Sequence, residues 1–165
     1  MAVAPRHEPG DPSAMGLIHC IYCSAANDEL DETTRRELLQ RSRARNARLG
    51  VTGMLLYVDG AFFQVLEGET EAVDDLFLHI AGDPRHSNVT EIIREPIIAR
   101  QFPDWSMGYA EPSRAEIIAT PGLNDFFQDG RCLRDLDDGR AKKLLRAFAS
   151  GRWRQRPSAR DAVAR

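Results

Sequence analysis

Four polar side chains occupy positions where the sequence pattern favours apolar ones, and together they could bind a flat, polar organic ring. Tyr22 lies in a short apolar run typical of a buried strand, and Gln64 shares one face of a later strand with apolar residues. Ser42 and Asn46 lie four residues apart near the apolar stripe of a helix. Asn and Gln amides each supply a donor and an acceptor, which suits a ring edge with alternating N–H and C=O groups.

The surroundings of Gln64 follow from a hairpin turn. Asp59-Gly60 is the strongest short signal for a two-residue hairpin, and with these residues as the turn Leu55 lies opposite Gln64. An unpaired amide among apolar neighbours would cost a few kcal/mol. We therefore expect Gln64 to have a hydrogen-bonding partner.

Each of these side chains has a simpler explanation when taken alone. A single Gln or Asn on an inner face usually hydrogen-bonds the backbone, and a lone Tyr is most often a half-buried core residue. Trp105 and Met107 alternate onto one face of the last predicted strand, which is ordinarily core packing. The convergence of Tyr, Gln, Asn and Ser from three elements is what favours a ligand site between helices and sheet.

The elements that position these residues run strand, helix, strand, strand, helix, strand, strand. We predict strands over 17–24, 51–58, 61–68, 89–98 and 102–109, and helices over 28–49, 70–82 and 137–150. Asp28 or Asp31 caps the first helix, and Gly50 ends it. The first six elements follow the βαββαβ, ferredoxin-like plan, so the predicted fold class is α+β with an extra fifth strand and C-terminal helices.

The chain divides into a disordered leader over 1–15, a ligand-binding domain over 16–111 and a helical extension with a basic tail over 112–165. Leu144, Leu145 and Phe148 form an apolar stripe on the last helix, and we expect it to dock on the sheet face that the two main helices leave open. Residues 1–139 carry 13 basic and 24 acidic side chains, a net charge of −11, whereas residues 140–165 carry a net charge of +8. An acidic body argues against a nucleic-acid-binding core. The tail is either simply solvated or binds an acidic partner, a membrane surface or the body itself.

Composition excludes several other classes of protein. Hydrophobic residues are 42% and charged residues 28%, the balance of a soluble globular protein, and neither a membrane helix nor a secretory signal is predicted. Cys20, Cys23 and Cys132 are a sparse, odd set that fits reduced thiols in the cytoplasm. Alternation points Cys20 and Cys23 to opposite faces, and Asp83 with His86 lacks two further ligands, so we predict neither a redox pair nor a metal site.

Six short motifs resemble the BLUF family of blue-light sensors, in the order and spacing of that family, from about Leu17 to Tyr109. They are Tyr22-Cys23-Ser24, Ser42-Arg43-Ala44-Arg45-Asn46, Val51 to Tyr57, Phe62 to Gly68, Asp83-Pro84-Arg85-His86 and Phe102 to Met107. One such motif would be weak evidence, but six in register are strong. The resemblance implies a non-covalent flavin between the two helices with its ring over the sheet. FAD is expected by family habit, with FMN and riboflavin as alternatives.

The resemblance also implies which residues serve the flavin. Tyr22 and Gln64 take the photoactive positions, and Trp105 and Met107 match the strand that relays the signal. Asn46 pairs with the pyrimidine edge of the flavin, near its C4 carbonyl and N3–H. The other positions where the family contacts or borders the cofactor are Ser24, Ser42, Arg45, His79, Asp83, Arg85 and His86.

The function implied by the resemblance is that of a blue-light photoreceptor, and not of an enzyme. Tyr22 gives an electron and a proton to the light-excited flavin, both return within the cycle, and Gln64 ends with a rearranged hydrogen-bond pattern, by rotation or tautomerisation. A reversible, red-shifted state is then passed to an unidentified effector protein. About 55 residues follow Tyr109, too few for an attached cyclase or diesterase domain, so we expect a stand-alone sensor. We further expect a cytoplasmic homo-oligomer, with a dimer favoured, and no membrane partner.

Two other functions stay open. A dark flavin-dependent redox enzyme would turn over a reduced nicotinamide, and a ligand-free ferredoxin-like interaction module would purify colourless and ignore added flavin. The absorption spectrum before and after blue light separates all three.

Overall fold

The chain forms one five-stranded sheet with helices on both of its faces, in a computed structural model that describes residues 16–27, 31–58, 60–120 and 137–149. The strands are β1 (Leu17–Ala26), β2 (Thr52–Val58), β3 (Ala61–Glu69), β4 (His86–Pro96) and β5 (Gly108–Ala110), and the helices are α1 (Glu32–Leu49), α2 (Thr70–Ala81), α3 (Arg114–Ile118) and α4 (Asp138–Ala149). The strand order is β4-β1-β3-β2-β5, antiparallel except for the parallel pair β2–β5. The predicted α+β, ferredoxin-like fold is confirmed. The leader 1–15, Cys132 and the tail beyond residue 149 lie outside the described residues.

The β2–β3 hairpin has the predicted register. Val58 pairs with Ala61 at its end, and Gly60 has a φ of 76°, a conformation that favours glycine. Leu55 lies opposite Gln64, as the turn predicts. Asp59 itself lies outside the described residues.

Helix α1 has clear signals at both ends. The Asp31 side chain accepts a hydrogen bond from the Thr34 N–H at 2.7 Å, which makes Asp31 the N-cap. Gly50 ends the helix with a φ of 68°, and its N–H reaches back to the Ala47 carbonyl. Asp28, the other predicted cap, lies outside the described residues.

The sheet separates two apolar layers because successive side chains of a strand point to opposite faces. The cleft layer, under α1 and α2, contains Ile18, Cys20, Tyr22, Leu39, Val51, Leu55, Tyr57, Phe62, Leu66, Val73, Leu76, Ile80 and Met107. The α4 layer, on the other face, contains Ile21, Cys23, Met54, Leu56, Val58, Phe63, Val65, Ile93, Phe102, Ala110, Ile117, Ala141, Leu144 and Leu145. Leu144 and Leu145 of α4 therefore dock on the face predicted for them, and the C-terminal extension shares the core of the domain. The Phe148 side chain lies outside the described part of the chain.

The prediction of a strand over 102–109 was wrong. Only Gly108–Ala110 pairs with β2, because the Trp105 N–H donates to the Phe102 carbonyl at 3.2 Å and closes a turn through Pro103. Proline is favoured at the second position of such a turn. Trp105 and Met107 therefore precede β5. They do not share a face: Trp105 packs in the α4 layer and Met107 lies in the cleft layer.

Two smaller features were not predicted. Strand β4 begins at His86, before the expected start, and Asn88 has a φ of 52° beside a register shift in the β1–β4 pairing. Helix α3 follows Ser113 with a capping box to Glu116. Among the described residues, no helix is long and apolar enough to cross a membrane.

Candidate functional site

A cleft of about 390 Å³, open to solvent, lies between α1 and α2 on one face of the sheet. The lining residues are Tyr22, Leu38, Ser42, Arg45, Leu55, Phe62, Gln64, Ile80, Asp83, Arg85 and His86. The cleft thus brings together most of the polar residues singled out in the sequence, from four secondary-structure elements and the turn after α2.

Tyr22 and Gln64 form a buried hydrogen-bonded pair at the floor of the cleft. They lie opposite each other in the β1–β3 register, and the Tyr22 hydroxyl donates to Gln64 Oε1. Gln64 Nε2 contacts Met107 Sδ at 3.4 Å. Burial, with a smaller contribution from Cys20, raises the pKa of Tyr22 above its ordinary range, so this phenol stays protonated and acts as a donor.

Asn46 is buried and only half satisfied. Its Nδ2 donates to the Ser106 carbonyl at 2.8 Å, and its Oδ1 has no hydrogen-bonding partner among the described residues. Buried amide oxygens are nearly always paired in folded proteins. This oxygen is therefore available to accept a hydrogen bond from a water molecule or a ligand.

The rim of the cleft is charged, and several of its side chains are held by hydrogen bonds. Arg85 Nε donates to both carboxylate oxygens of Asp83 at 3.0 Å, and this bonding lowers the pKa of Asp83 to about 2. Ser24 Oγ and His86 Nδ1 lie 2.9 Å apart, and burial lowers the pKa of His86. Burial also lowers the pKa of Arg45, whose Nε is buried with no hydrogen-bonding partner among the described residues. Ser24 supports His86 and does not itself line the cleft.

Three of the predicted site residues are buried without lining the cleft, namely Ser24, Asn46 and Met107, and two others, His79 and Trp105, lie elsewhere. His79 is exposed on α2, because the next residue, Ile80, takes the inward direction that lines the cleft. Trp105 stacks on Phe102 in the α4 layer, with ring centroids 5.6 Å apart. The place beside Gln64 is taken by Met107.

Three successive carbonyls of the segment before β5 accept hydrogen bonds from donors that no sequence pattern linked to this segment. Trp105 O accepts from Gly53 N at 3.0 Å, Ser106 O from Asn46 Nδ2 at 2.8 Å, and Met107 O from Arg43 Nε at 2.9 Å. Arg43 belongs to the Ser42-to-Asn46 motif, but the sequence analysis gave it no role. Its position three residues before Asn46 makes the two residues neighbours on α1, and nothing in the sequence indicates its bond to Met107.

Glu67 anchors the start of the same segment. Its buried carboxylate accepts from Gln101 N at 2.8 Å and from Phe102 N at 3.0 Å. Arg100 donates to Thr52 Oγ1 at 2.9 Å and to the Glu67 carbonyl at 3.1 Å. The chain between β4 and β5 is thereby tied to β2 and β3.

The arrangement suits a planar ligand with both donors and acceptors. The phenol of Tyr22 and the amide of Gln64 lie at the floor of the cleft, and arginines lie at its rim. The Met107 thioether contacts the Gln64 amide, and on α1 the Asn46 amide oxygen has no partner among the described residues. In the described ranges, no group of three or more His, Cys, Asp or Glu side chains could hold a metal ion.

Comparison with known proteins adds independent information. A family model described as "BLUF: Sensors of blue-light using FAD" matches residues 17–108. The photoactivated adenylate cyclase subunit beta of Euglena longa is 38% identical over 106 residues, which are 63% of this chain and 12% of that protein. The chain therefore spans about an eighth of the length of this relative.

Solved structures resemble the chain over most of its length. "BlrB - a BLUF protein, dark state structure" has a TM-score of 0.67 and 36% identity, and the match covers 83% of this chain and 98% of that one. "BlsA photo-activated state" has a TM-score of 0.73 and 27% identity, with 85% and 99% covered.

Proposed function

The chain belongs to the BLUF family of flavin-dependent blue-light sensors, and from this premise we propose that it binds FAD non-covalently in the cleft and passes a light signal to a separate effector protein. The observation that carries the proposal is the buried, hydrogen-bonded pair of Tyr22 and Gln64 at the floor of the cleft, with Met107 in contact with Gln64. BLUF domains are sensor modules, and we propose that this chain has no enzymatic activity of its own.

The residues present fit a flavin. Asn46 Oδ1 is a buried acceptor without a partner among the described residues, and a ring N–H would satisfy it. Arg45 and Arg85 place positive charge at the rim, which suits the phosphates of FAD and, to a lesser degree, the single phosphate of FMN. Riboflavin has no group that would use this charge. Ser42 lines the same wall of the cleft as Arg45.

A bound flavin supplies absorption of blue light and, once excited, a strong oxidant. Tyr22 is placed to release an electron together with a proton, since loss of the proton alone would leave a buried phenolate, which burial disfavours. Gln64 is placed to change its hydrogen bonds in response to this transfer, because its Oε1 accepts from Tyr22 while its Nε2 contacts Met107. Exchange of these two groups, by rotation or tautomerisation, would reverse the hydrogen-bond pattern.

The signal is proposed to leave through the segment before β5. Trp105 packs against the α4 layer, and Met107 contacts Gln64 in the cleft layer. A shift of this segment therefore touches both faces of the sheet. Helix α4 also pairs with β4 through Lys142 and Glu95 at 3.0 Å. We propose that the segment after Pro112, which includes α4, is where the effector protein binds.

Light-minus-dark absorption of the purified full chain tests the function. We expect yellow protein, intact flavin released by acid or heat, and a small, reversible red shift after blue light. Colourless protein that ignores added FAD would support the interaction module, and turnover of a reduced nicotinamide in the dark would support the redox enzyme. Either result rejects the photoreceptor.

Hydrogen exchange in dark and light tests the output route. We expect light-dependent protection changes in residues 103–120 and 137–149, and their loss in Trp105→Ala. A normal red shift without exchange changes beyond the cleft would contradict the route. Location in the cytoplasm and a homodimer remain our proposals, supported for location by the free thiols of Cys20 and Cys23.

A further inference from the structure

Arg43 on α1 holds the main chain of the residue that contacts Gln64. Its Nε donates to the Met107 carbonyl at 2.9 Å, and Met107 Sδ lies 3.4 Å from Gln64 Nε2. Arg43 does not line the cleft, so its side chain reaches the photoactive pair through Met107.

Met107 needs such an anchor because its side chain is intrinsically adaptable. Methionine is unbranched and has three rotatable bonds, so its sulfur keeps one position only if backbone and surroundings define it. The neighbouring carbonyls of Trp105 and Ser106 are held by Gly53 of β2 and Asn46 of α1. The Arg43 bond acts on Met107 itself, one residue before β5 begins.

We propose that Arg43 is a positioning residue for the light reaction, which keeps the Met107 sulfur against the Gln64 amide nitrogen and thereby sets the lifetime of the lit state. The inference rests on the proposed function. A thioether sulfur accepts a weak hydrogen bond from an N–H group. A rearrangement that takes this N–H away from the sulfur loses the contact, so the contact favours the present arrangement of Gln64. Loosening Met107 removes that preference, and the lit state lasts longer.

The test is a double-mutant cycle on the full chain loaded with FAD. Arg43→Ala removes the donor, and Arg41→Ala is the matched control, since Arg41 is exposed on the same helix and makes no hydrogen bond within the described residues. Each change is made alone and together with Met107→Ala, and dark recovery of the red-shifted spectrum is timed. We expect Arg43→Ala to slow recovery by about threefold or more, the size of one weak hydrogen bond, and Arg41→Ala to change it by less than about 1.5-fold. In the Met107→Ala background the effect of Arg43→Ala disappears.

Three results would overturn the proposal: unchanged recovery in Arg43→Ala, an equal effect of Arg41→Ala, or an effect of Arg43→Ala that persists without Met107. If Arg43→Ala does not bind FAD, Arg43→Lys runs the same cycle. Lysine keeps the charge but not the Nε donor. Arg43→Lys must again slow dark recovery, and the slowing must disappear in the Met107→Ala background. A missing red shift in the unmodified protein rejects the photoreceptor function instead, so the two failures are distinguishable.

Discussion

Replacing Asn46 with alanine should weaken flavin binding while leaving the flavin-free protein almost as stable as before. Asn46 is buried and uses its two polar atoms differently: Nδ2 donates to the Ser106 carbonyl at 2.8 Å, and Oδ1 has no partner among the described residues. Asn46→Ala deletes both atoms, so its effect depends on whether the ligand is bound.

Two opposing contributions determine how Asn46→Ala changes the free energy of unfolding of the flavin-free protein. Loss of the bond to Ser106 costs about 0.5–1.5 kcal/mol, and removal of a buried, unpaired oxygen returns about 1–3 kcal/mol. The free energy of unfolding of the flavin-free protein should therefore fall by no more than about 1 kcal/mol, or rise. With flavin bound, the ring N–H that Asn46 would satisfy is left unpaired, and affinity should fall by about 1–3 kcal/mol, or about 5–150-fold.

Titration with FAD and urea unfolding of the flavin-free protein measure the two effects separately. Gln40→Ala is the control, because Gln40 carries the same amide group on the exposed side of the same helix. An affinity within twofold of the unmodified protein would show that Oδ1 does not serve the ligand. A loss of more than about 2 kcal/mol in the flavin-free protein would show that Oδ1 already had a partner.

Three further predictions follow from the same geometry. Tyr22→Phe and Gln64→Leu roughly conserve volume, so both variants should bind flavin yet lose the red shift; an unchanged difference spectrum in either rejects its role. Burial raises the pKa of Tyr22, so the contribution of Tyr22 to stability is full below the ordinary tyrosine pKa of about 10 and is lost as the pH rises above that value. Urea unfolding should therefore show a smaller loss of stability at alkaline pH in Tyr22→Phe than in the unmodified protein. Equal losses would count against this reason. Gly108→Ala would place a Cβ 2.4 Å from Trp105 Cε3, so the indole must move at a cost of about 1–3 kcal/mol in the free energy of unfolding. The control Gly82→Ala meets nothing closer than 3.6 Å, and its free energy of unfolding should stay within about 0.5 kcal/mol of the unmodified protein. Equal unfolding free energies of the two variants would refute the clash.

Local signals in the sequence were sufficient wherever a turn or cap determines geometry. Asp59-Gly60 set the hairpin register, and that register placed Leu55 opposite Gln64. Gly50 ended α1 through its left-handed conformation. Alternation then assigned Tyr22 and Gln64 to one face, where they form a hydrogen bond.

The sequence was less informative where tertiary contacts override alternation. Trp105 and Met107 are two residues apart, which predicts one shared face, but a turn and three donors from β2 and α1 place them in different layers. Phe102-Pro103 carried the turn signal that argued against a strand there. The bond from Arg43 joins residues 64 positions apart, and no periodicity in either segment indicates it.

The division of the sheet into two layers has an evolutionary consequence. In β1 and β3, the even-numbered positions such as Tyr22 and Gln64 face the cleft, while odd-numbered positions such as Phe63 and Val65 face α4. Substitutions that adapt one face to a new covering partner therefore fall on different residues from those that bind the ligand. In a sensor with this architecture, substitutions on one face can change the output partner while the residues of the photochemistry on the other face stay the same.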